Sequence, residues 1–575
     1  MSQLSQIPLT DAEDWYTPDE HLRWLARRAV GDALWPVAEG ALQEAGRLVP
    51  TRIEPLSRLA DRHPPVLHQY DARGERVDEI EFHPAYREIE DTEHRFGLVR
   101  MAYMPGWRGL QGRAPRSLVT ALNYLFLQAD QAICGCPVGM TDAMCRTLEL
   151  HDPQLAERFL PGLADDGGRH LSGAMFMTEK AGGSDVGANQ TRAVRQADGT
   201  WRLHGDKWFC SNAAADLALV LARPEGAGPG TKGLGLFLMP RRLEDGRRNS
   251  YRVNRLKEKF GTRAMASGEI TLEGAFAWPV GSLELGMKQM LDMVNLTRVG
   301  IANTTAAAMR RAAFESLEHS RRRAAFGKPL DHHPLMRDTL AELVVDATAG
   351  LTAAMAGAEA LDAADAGRPG ATGVLRLLTP LFKGLGAERA RLAATEAMEV
   401  RGGNGYIEDW PNSRLLRDVY VHAIWEGSGN VVALDVLRAL GHGAGPDLFA
   451  DLERRAEASG TLAGPLLNGL RRAQEAAARL DGEELPARRL ARRLATTAAA
   501  IHLGEKAREH AQETGSGRLL WIAARYAARL GGEAAVAAVA DDPAWLEHAP
   551  ALLHGGPVPA EVGEWAAKAA AAALG

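Results

Sequence analysis

The chain has 575 residues, of which 46% are apolar and 24% are charged, and its formal net charge at neutral pH is -6. This composition is typical of a globular protein, and the weakly acidic balance excludes an overall electrostatic attraction to nucleic acid or to an anionic membrane. The four cysteines have neither disulfide-framework nor zinc-site spacing, so we expect reduced thiols, no metal site and a cytoplasmic location.

The chain begins without the basic and apolar regions that define a signal peptide. Its most apolar helical run, residues 118–133, is interrupted by Asn123, Gln128 and Asp130. A membrane span requires a longer uninterrupted apolar stretch. We therefore expect no secretion signal and no membrane partner.

The first part of the chain has a helical pattern. Residues 1–60 mix apolar and acidic positions and are interpreted as an N-terminal extension. In residues 61–170 apolar side chains recur at helical spacing, as at Leu118, Leu122 and Leu125. We predict a helical domain over residues 61–170.

The pattern changes to short strands between residues 171 and 285. Residues 217–221 and 234–239 are short apolar runs, and the Gly- and Pro-rich residues 224–233 separate them. Such runs joined by turn residues are typical of antiparallel strands. We predict a β domain here, a barrel or a sandwich.

Long helical patterns return over residues 286–440, including residues 305–323 and 338–363. Gly and Pro at residues 441–446 predict a linker, and an Ala- and Arg-rich helical extension follows over residues 441–575. The fold class is therefore α+β and multidomain.

A carboxylate among small polar residues carries the clearest chemical signal. Glu426 follows Ile424 and Trp425 and precedes Gly427-Ser428-Gly429-Asn430. The glycines let backbone approach a ligand closely, and the serine and asparagine can hydrogen-bond it. The segment suits an acid–base glutamate at a ligand, although a surface glutamate at a turn fits the heptapeptide equally well.

Four other segments favour the ligand interpretation. Residues 175–185 (MFMTEKAGGSD) and 207–212 (KWFCSN) offer glycines, hydroxyls and aromatics, and residues 323–328 (RAAFGK) and 401–405 (RGGNG) offer arginines and glycines. Backbone N–H groups and an arginine fork are suited to a pyrophosphate. Each segment alone is a weak signal.

In this order the segments resemble the acyl-CoA dehydrogenases, over about residues 60–440. MTEKAGGSD, KWF-x-S and IWEGSGN resemble the branch typified by the alkylation-response protein AidB. The resemblance implies an N-terminal helical domain, a middle β-barrel or sandwich, a C-terminal four-helix bundle and FAD as cofactor, with residues 441–575 as an extra helical domain. It also implies an acyl-CoA substrate and a homo-oligomer, a tetramer.

The resemblance assigns site residues by motif. Glu426 is implied as the catalytic base that takes a proton beside the thioester carbonyl, and Arg298 as an arginine near the active site or a structural ion-pair partner. Thr297, at a position where some relatives carry the base, cannot serve as one. The implied FAD contacts are Met175, Met177, Thr178, Ser184, Phe209, Ser211, Arg323, Phe326, Gly402, Gly403, Ile424, Ser428 and Asn430.

Arg323, Gly402 and Gly403 are implied to reach the flavin of a neighbouring subunit, while Ser428 and Asn430 hold the adenosine end. Phe209 stands where most of the family has tryptophan. His333 stands where the family usually has a glutamine that contacts the cofactor, which puts that contact in doubt.

Two other functions remain open at this point. The AidB resemblance suggests a flavoprotein that binds duplex DNA in an alkylation-damage response through the C-terminal extension, where Arg488, Arg489, Arg492 and Arg493 form a basic stripe. We favour a role for the extension in assembly. A flavin oxygenase is a third interpretation, against which Glu426 argues mildly. No motif indicates the electron acceptor or the acyl chain.

Overall fold

The computed structural model describes residues 12–480 and 483–575. Part of the predicted N-terminal extension, residues 1–11, lies outside the described residues. The helices of the N-terminal part are α1 (Glu20–Leu48), α2 (Glu54–Arg62), α3 (Pro84–Phe96), α4 (Arg100–Tyr103), α5 (Arg116–Leu127), α6 (Gly139–His151) and α7 (Pro153–Leu163).

A β-hairpin interrupts these helices, which the helical spacing of residues 61–170 did not predict. Strands β1 (Val66–Tyr70) and β2 (Arg76–Glu81) pair antiparallel. Gly74 has a φ of 81° in the turn between them, a left-handed conformation that glycine adopts without steric cost. The side chains of β1 are exposed or half-buried, so this strand lacks the apolar face by which sequence patterns reveal strands.

The predicted β domain is present. Its strands are β3 (Gly173–Phe176), β4 (Arg192–Arg195), β5 (Trp201–Ser211), β6 (Leu217–Pro224), β7 (Gly235–Pro240), β8 (Tyr251–Leu256) and β9 (Ser267–Pro279). The strand order is β3-β6-β4-β5-β9-β7, β8 pairs with β9, and β6 also pairs with β7. The hydrogen-bonded ladder therefore closes on itself, as in a barrel. The two predicted strands at residues 217–221 and 234–239 lie in β6 and β7 and pair antiparallel.

Long helices follow, as expected. The next elements are α8 (Gly286–Arg322), the short strands β10 (Ala324–Ala325) and β11 (Lys328–Pro329), then α9 (Pro334–Asp365), α10 (Ala371–Arg401), α11 (Pro411–Val419) and α12 (Gly429–Gly441). Among the described residues α9 alone is long and apolar enough to cross a membrane, and 89% of its apolar window is buried within the protein.

The C-terminal extension is helical throughout. It comprises α13 (Gly445–Glu457), α14 (Ala463–Ala478), α15 (Ala487–Thr514), α16 (Arg518–Ala528), α17 (Glu533–Ala540), α18 (Ala549–His554) and α19 (Ala560–Leu574). The predicted linker is only a short break between α12 and α13.

The described chain forms two compact units, each discontinuous in sequence. The first unit contains residues up to Arg47, Arg116–Gln128 and Ile301–Gly575, and the second contains Leu48–Pro115 and Ala129–Gly300. The five segments predicted from the sequence follow changes of element type, whereas the compact units follow contacts between distant residues.

The C-terminal extension packs on the long helices of the first unit. Leu340 of α9, Leu377 of α10 and Trp521 of α16 belong to one buried apolar cluster. Asp346 of α9 binds Arg389 of α10 and Arg529, each at 2.5 Å. Burial raises the pKa of Asp346, but the two guanidinium groups outweigh burial and lower it. The extension is thus part of the first unit's core.

In the second unit the barrel supports the loop that follows β3. Every residue of β3 and β7 is buried, because apolar side chains occupy both faces of these strands. The Thr141 hydroxyl of α6 accepts a hydrogen bond from the Gly173 N–H at 2.9 Å. This contact fixes the start of β3 against α6.

Candidate active site

The second unit joins two of the predicted cofactor segments. Met175 lies on β3 opposite Leu219 of β6, and Met177 and Thr178 follow at the end of the strand. The Trp208 N–H donates to the Thr178 carbonyl at 2.9 Å. Residues 175–184 and the end of β5 therefore form one continuous surface.

The loop at Ser184 depends on a close approach of backbone to side chain. A Cβ on Gly183 would lie 2.8 Å from the Thr178 hydroxyl oxygen, which is closer than van der Waals contact allows. Ser184 is exposed beside it. The glycine thus lets the loop fold over Thr178 and presents the Ser184 hydroxyl to solvent.

A buried ion pair beneath this loop was not predicted. The Lys207 ammonium donates to Glu179 at 2.8 Å and to the Leu221 carbonyl at 2.8 Å. Glu179 also accepts hydrogen bonds from the N–H of Gln190 and from the N–H and hydroxyl of Thr191. Burial raises the pKa of Glu179, but Lys207 and these donors outweigh burial and lower it. The charged pair ties the loop to β5.

Phe209 forms an exposed aromatic platform. Its side chain is 53% exposed, which is unusual for a large apolar residue inside a strand. The Lys257 ammonium lies 4.4 Å from the Phe209 ring centroid and 3.6 Å from that of Trp208, within cation–π range. Ser211 lies half-buried at the end of the same strand. Cys210 between them is buried, and burial raises its pKa.

Arg298 lies on the part of α8 that belongs to the second unit and is 6% exposed. The neighbouring Thr297 hydroxyl donates to the Val294 carbonyl at 2.9 Å, which occupies it within its own helix. A position near the active site and a structural ion pair both remain predictions for Arg298.

The first unit holds Glu426 in a strained turn before α12. Glu426 has a φ of 53° and Gly427 a φ of 102°. A left-handed backbone is rare for a residue with a side chain and costs about 1–3 kcal/mol. Such strain persists only where surrounding contacts enforce it, and it is frequent at active sites.

Lys383 supplies one of those contacts. It lies on α10, is 1% exposed, and donates from its ammonium to the Gly427 carbonyl at 2.5 Å. His422, just before the turn, is fully buried, and burial together with the charge of Lys383 lowers its pKa to about 3. Lys383 was not predicted from the sequence, although a single charge inside the apolar run LLTPLFKGLG is a usable signal.

The start of α12 is open to solvent. Ser428 occupies the N-cap position, yet its side chain makes no capping hydrogen bond, and Ser428 and Asn430 are both exposed. Ile424 is a large apolar side chain exposed just before the turn. The helix N-terminus and the Ser428 hydroxyl thus remain able to bind an anionic group.

The β10–β11 hairpin presents Phe326 at its tip. Phe326 has a φ of 51° and is 96% exposed. His333 holds the hairpin, since its Nε2 lies 3.1 Å from the Ala325 carbonyl oxygen, so this histidine has a structural contact of its own. Arg323 is exposed at the base of the hairpin.

Gly402 and Gly403 lie near the same region of the first unit. Burial and the charges of Arg401 and Arg323 lower the pKa of His319 to about 4. Gly402 has a φ of 67°, and a Cβ on Gly402 or on Gly403 would meet no atom within 4 Å. Both glycines therefore face open space.

The predicted residues thus fall into two groups. The second unit holds Met175, Met177, Thr178, Ser184, Phe209, Ser211 and Arg298, and the first holds Arg323, Phe326, Gly402, Gly403, Ile424, Glu426, Ser428 and Asn430.

Comparison with known proteins assigns three regions of the chain. Residues 5–167 match the adaptive response protein AidB N-terminal domain, residues 174–275 the acyl-CoA dehydrogenase middle domain and residues 284–441 the acyl-CoA dehydrogenase C-terminal domain. The chain belongs to the acyl-CoA dehydrogenase family, whose members are FAD-dependent oxidoreductases. The predicted family and fold class are confirmed.

Individual relatives agree with this assignment. The chain is 37% identical to the putative acyl-CoA dehydrogenase AidB of Escherichia coli over 402 residues, covering 68% of this chain and 72% of that protein. It is 33% identical to acyl-CoA dehydrogenase family member 11 of Caenorhabditis elegans over 436 residues, covering 74% and 70% of the two chains. The crystal structure of Caenorhabditis elegans ACDH-11 in complex with C11-CoA superimposes with a TM-score of 0.82 at 29% identity, over 90% of this chain and 92% of that chain.

Proposed function

We propose that the protein removes two hydrogens from the α and β carbons of an acyl-CoA thioester, with Glu426 as the base. The observation that carries this proposal is the strained Glu426 turn, held by a buried lysine, within the family's catalytic segment. The relative crystallised with C11-CoA supports an acyl-CoA as the class of substrate.

The predicted residues in each of the two units offer side chains and backbone that suit FAD. Phe209 offers an exposed aromatic face, Ser184 and Ser428 offer exposed hydroxyls, of which that of Ser428 makes no capping hydrogen bond, and Gly402 leaves room for close approach. When bound, FAD accepts at its N5 atom the hydride that leaves the β carbon.

The chain's own residues remove the α proton of the substrate and bind its thioester carbonyl. A Glu426 carboxylate oxygen takes the α proton, so that the α C–H electrons form the new double bond as the β hydride leaves. The Glu426 backbone N–H binds the thioester oxygen in this proposal, which stabilises charge that develops there. Lys383 holds the carbonyl of Gly427, the residue after Glu426, and so limits the positions of the Glu426 carboxylate and backbone N–H.

Glu426→Gln tests this assignment, because the substitution preserves shape and removes the base. Anaerobic titration with a panel of acyl-CoAs should bleach the flavin of the parent and leave that of the variant oxidised, with a reduction rate lower by at least ~10³-fold. Glu453→Gln, an exposed substitution on α13, serves as the control. Undiminished reduction in Glu426→Gln would place the base elsewhere.

The same proposal includes a homo-oligomer in which Arg323, Phe326, Gly402 and Gly403 reach the cofactor of a neighbouring copy. Their exposure in the first unit supports this arrangement. The duplex-DNA alternative has no comparable support, because the relatives reported above are acyl-CoA dehydrogenases by name.

A further inference from the structure

A basic pocket in the first unit is lined by Arg488, Arg489 and Arg492 of the basic stripe and by Asn430, which was assigned above to FAD. It lies where α15 of the C-terminal extension meets α10, the end of α11 and the start of α12. Four of its lining residues are Arg391, Arg488, Arg489 and Arg492, and Glu388 is its one carboxylate. The matched family regions end at residue 441, so three of the four arginines come from beyond them.

The charges in this pocket are not balanced. Arg492 pairs with Glu388 at 2.7 Å, and the Arg391 Nε donates to the Ala387 carbonyl of its own helix at 3.2 Å. Among residues 12–480 and 483–575, no ion pair involves Arg488 or Arg489. The pocket therefore has a net positive charge and two guanidinium groups able to bind an anion.

One of these guanidinium groups contacts the predicted adenosine-binding segment. The Arg488 Nη1 lies 3.5 Å from the Asn430 Oδ1, and the Arg488 Cζ would lie 3.6 Å from a Cβ on Gly429. Arg488 thus lies against the first turn of α12, where helix N–H groups also favour negative charge.

The pocket also has a flat apolar surface. Tyr420 lines it and is 42% exposed, and the Arg391 guanidinium lies 5.8 Å from its ring centroid. An aromatic ring and an arginine plane provide stacking surfaces for a nucleobase. The combination of arginines with a stacking surface suits an adenine nucleotide better than a simple inorganic anion.

We propose that this pocket binds the ADP portion of FAD, with Arg488 and Arg489 at the diphosphate and Tyr420 beside the adenine. The inference rests on the proposed function, which places the adenosine end of the cofactor at Ser428 and Asn430. It gives the C-terminal extension a direct role in cofactor binding. The nucleotide of coenzyme A has the same chemistry as the ADP portion of FAD. The test therefore distinguishes binding of FAD from binding of coenzyme A.

The test uses the apoprotein of the full chain, titrated separately with FAD and with ADP. The double variant Arg488→Ala/Arg489→Ala should bind both ligands at least ~10-fold more weakly, since each lost charge-assisted contact has a value near one decade of affinity. Arg493→Ala, an exposed arginine of the same helix outside the pocket, should bind both within about twofold of the parent, which is far less than one decade. Arg488→Lys/Arg489→Lys should retain part of the affinity.

The same proteins are also titrated with coenzyme A, whose nucleotide is the other possible ligand of the pocket. If the double variant binds FAD and ADP as the parent does, the assignment is overturned, whether or not its affinity for coenzyme A falls. A selective loss for coenzyme A would assign the pocket to the substrate's nucleotide. Failure of the proposed function gives a different result, because FAD would still bind tightly while no acyl-CoA reduced it.

Discussion

At the scale of single residues, a buried ammonium and a strained peptide act together. Lys383 is held away from water, where its hydrogen bond to the Gly427 carbonyl is stronger than it would be at the surface. That bond lies one peptide beyond Glu426, whose left-handed backbone would relax if the carbonyl were released. We infer that Lys383 is a positioning residue for the base.

Lys383→Met should therefore slow flavin reduction while FAD remains bound. A lost hydrogen bond from a charged group is worth about 1.5–3 kcal/mol, which corresponds to a rate roughly 10- to 100-fold lower. Stopped-flow reduction by a saturating acyl-CoA measures the rate, and Lys568→Met, an exposed position on α19, is the control. A variant with a lowered melting temperature but an unchanged reduction rate would assign Lys383 a merely structural role.

His422 predicts a pH dependence at the same turn. Its pKa in the folded protein is lowered to about 3, mainly by burial, whereas the unfolded value is about 6.5. The unfolded chain therefore binds the proton more tightly, and the contribution of His422 to stability is complete above pH 6.5 and falls as the pH decreases toward 3.

Compared with His422→Gln, the parent should lose up to about 1.4 kcal/mol of unfolding free energy per pH unit between pH 6.5 and 5. Urea unfolding of both proteins at several pH values measures this difference, and other titrating groups cancel between them. A difference that does not change with pH would contradict a neutral buried His422.

At the scale of elements, the loop after β3 depends on β5 through the Lys207–Glu179 pair. Lys207→Met leaves Glu179 buried without its cation, which typically costs about 3–5 kcal/mol. We expect a lower melting temperature and weaker FAD retention, measured by thermal scanning and by cofactor release on dilution.

Lys180→Met is the matched control for this prediction, because Lys180 lies in the same loop with an exposed side chain. Equal losses in both variants would mean that the buried pair has no special role in holding the loop.

The sequence predicted the elements whose pattern is local. Strands β6 and β7 have short apolar runs bounded by turn residues, and the proposed catalytic segment around Glu426 was identified from its neighbours in the chain. Lys383 was missed because its partner carbonyl lies 44 residues away. The hairpin of β1 and β2 was missed because its exposed side chains give no apolar alternation.

At the scale of the whole molecule, the exposed apolar side chains of the first unit favour association. Phe326, Leu335 and Tyr406 are each more than four-fifths exposed, and large exposed apolar groups commonly mark interfaces. These residues lie near the segments that the family resemblance assigns to a neighbour's cofactor.

Phe326→Asp should therefore convert the oligomer to smaller species and lower FAD retention together, because a charge would be desolvated in the interface. Light scattering coupled to size exclusion gives the mass, and absorbance gives the bound flavin. Leu150→Asp, an exposed leucine of α6 in the second unit, should change neither. An unchanged mass for Phe326→Asp would exclude this hairpin from the interface.

The discontinuous first unit has a consequence for how the protein is made. The Trp24 indole of α1 donates to Glu513 at 2.7 Å, across 489 residues of sequence, and Arg28 pairs with Glu509 at 3.2 Å. A ribosome adding about 5–20 residues per second needs on the order of 25–100 s to supply those partners. During that time α1 has emerged before these two partners exist, so a nascent chain of this protein is expected to need chaperone protection until they are made.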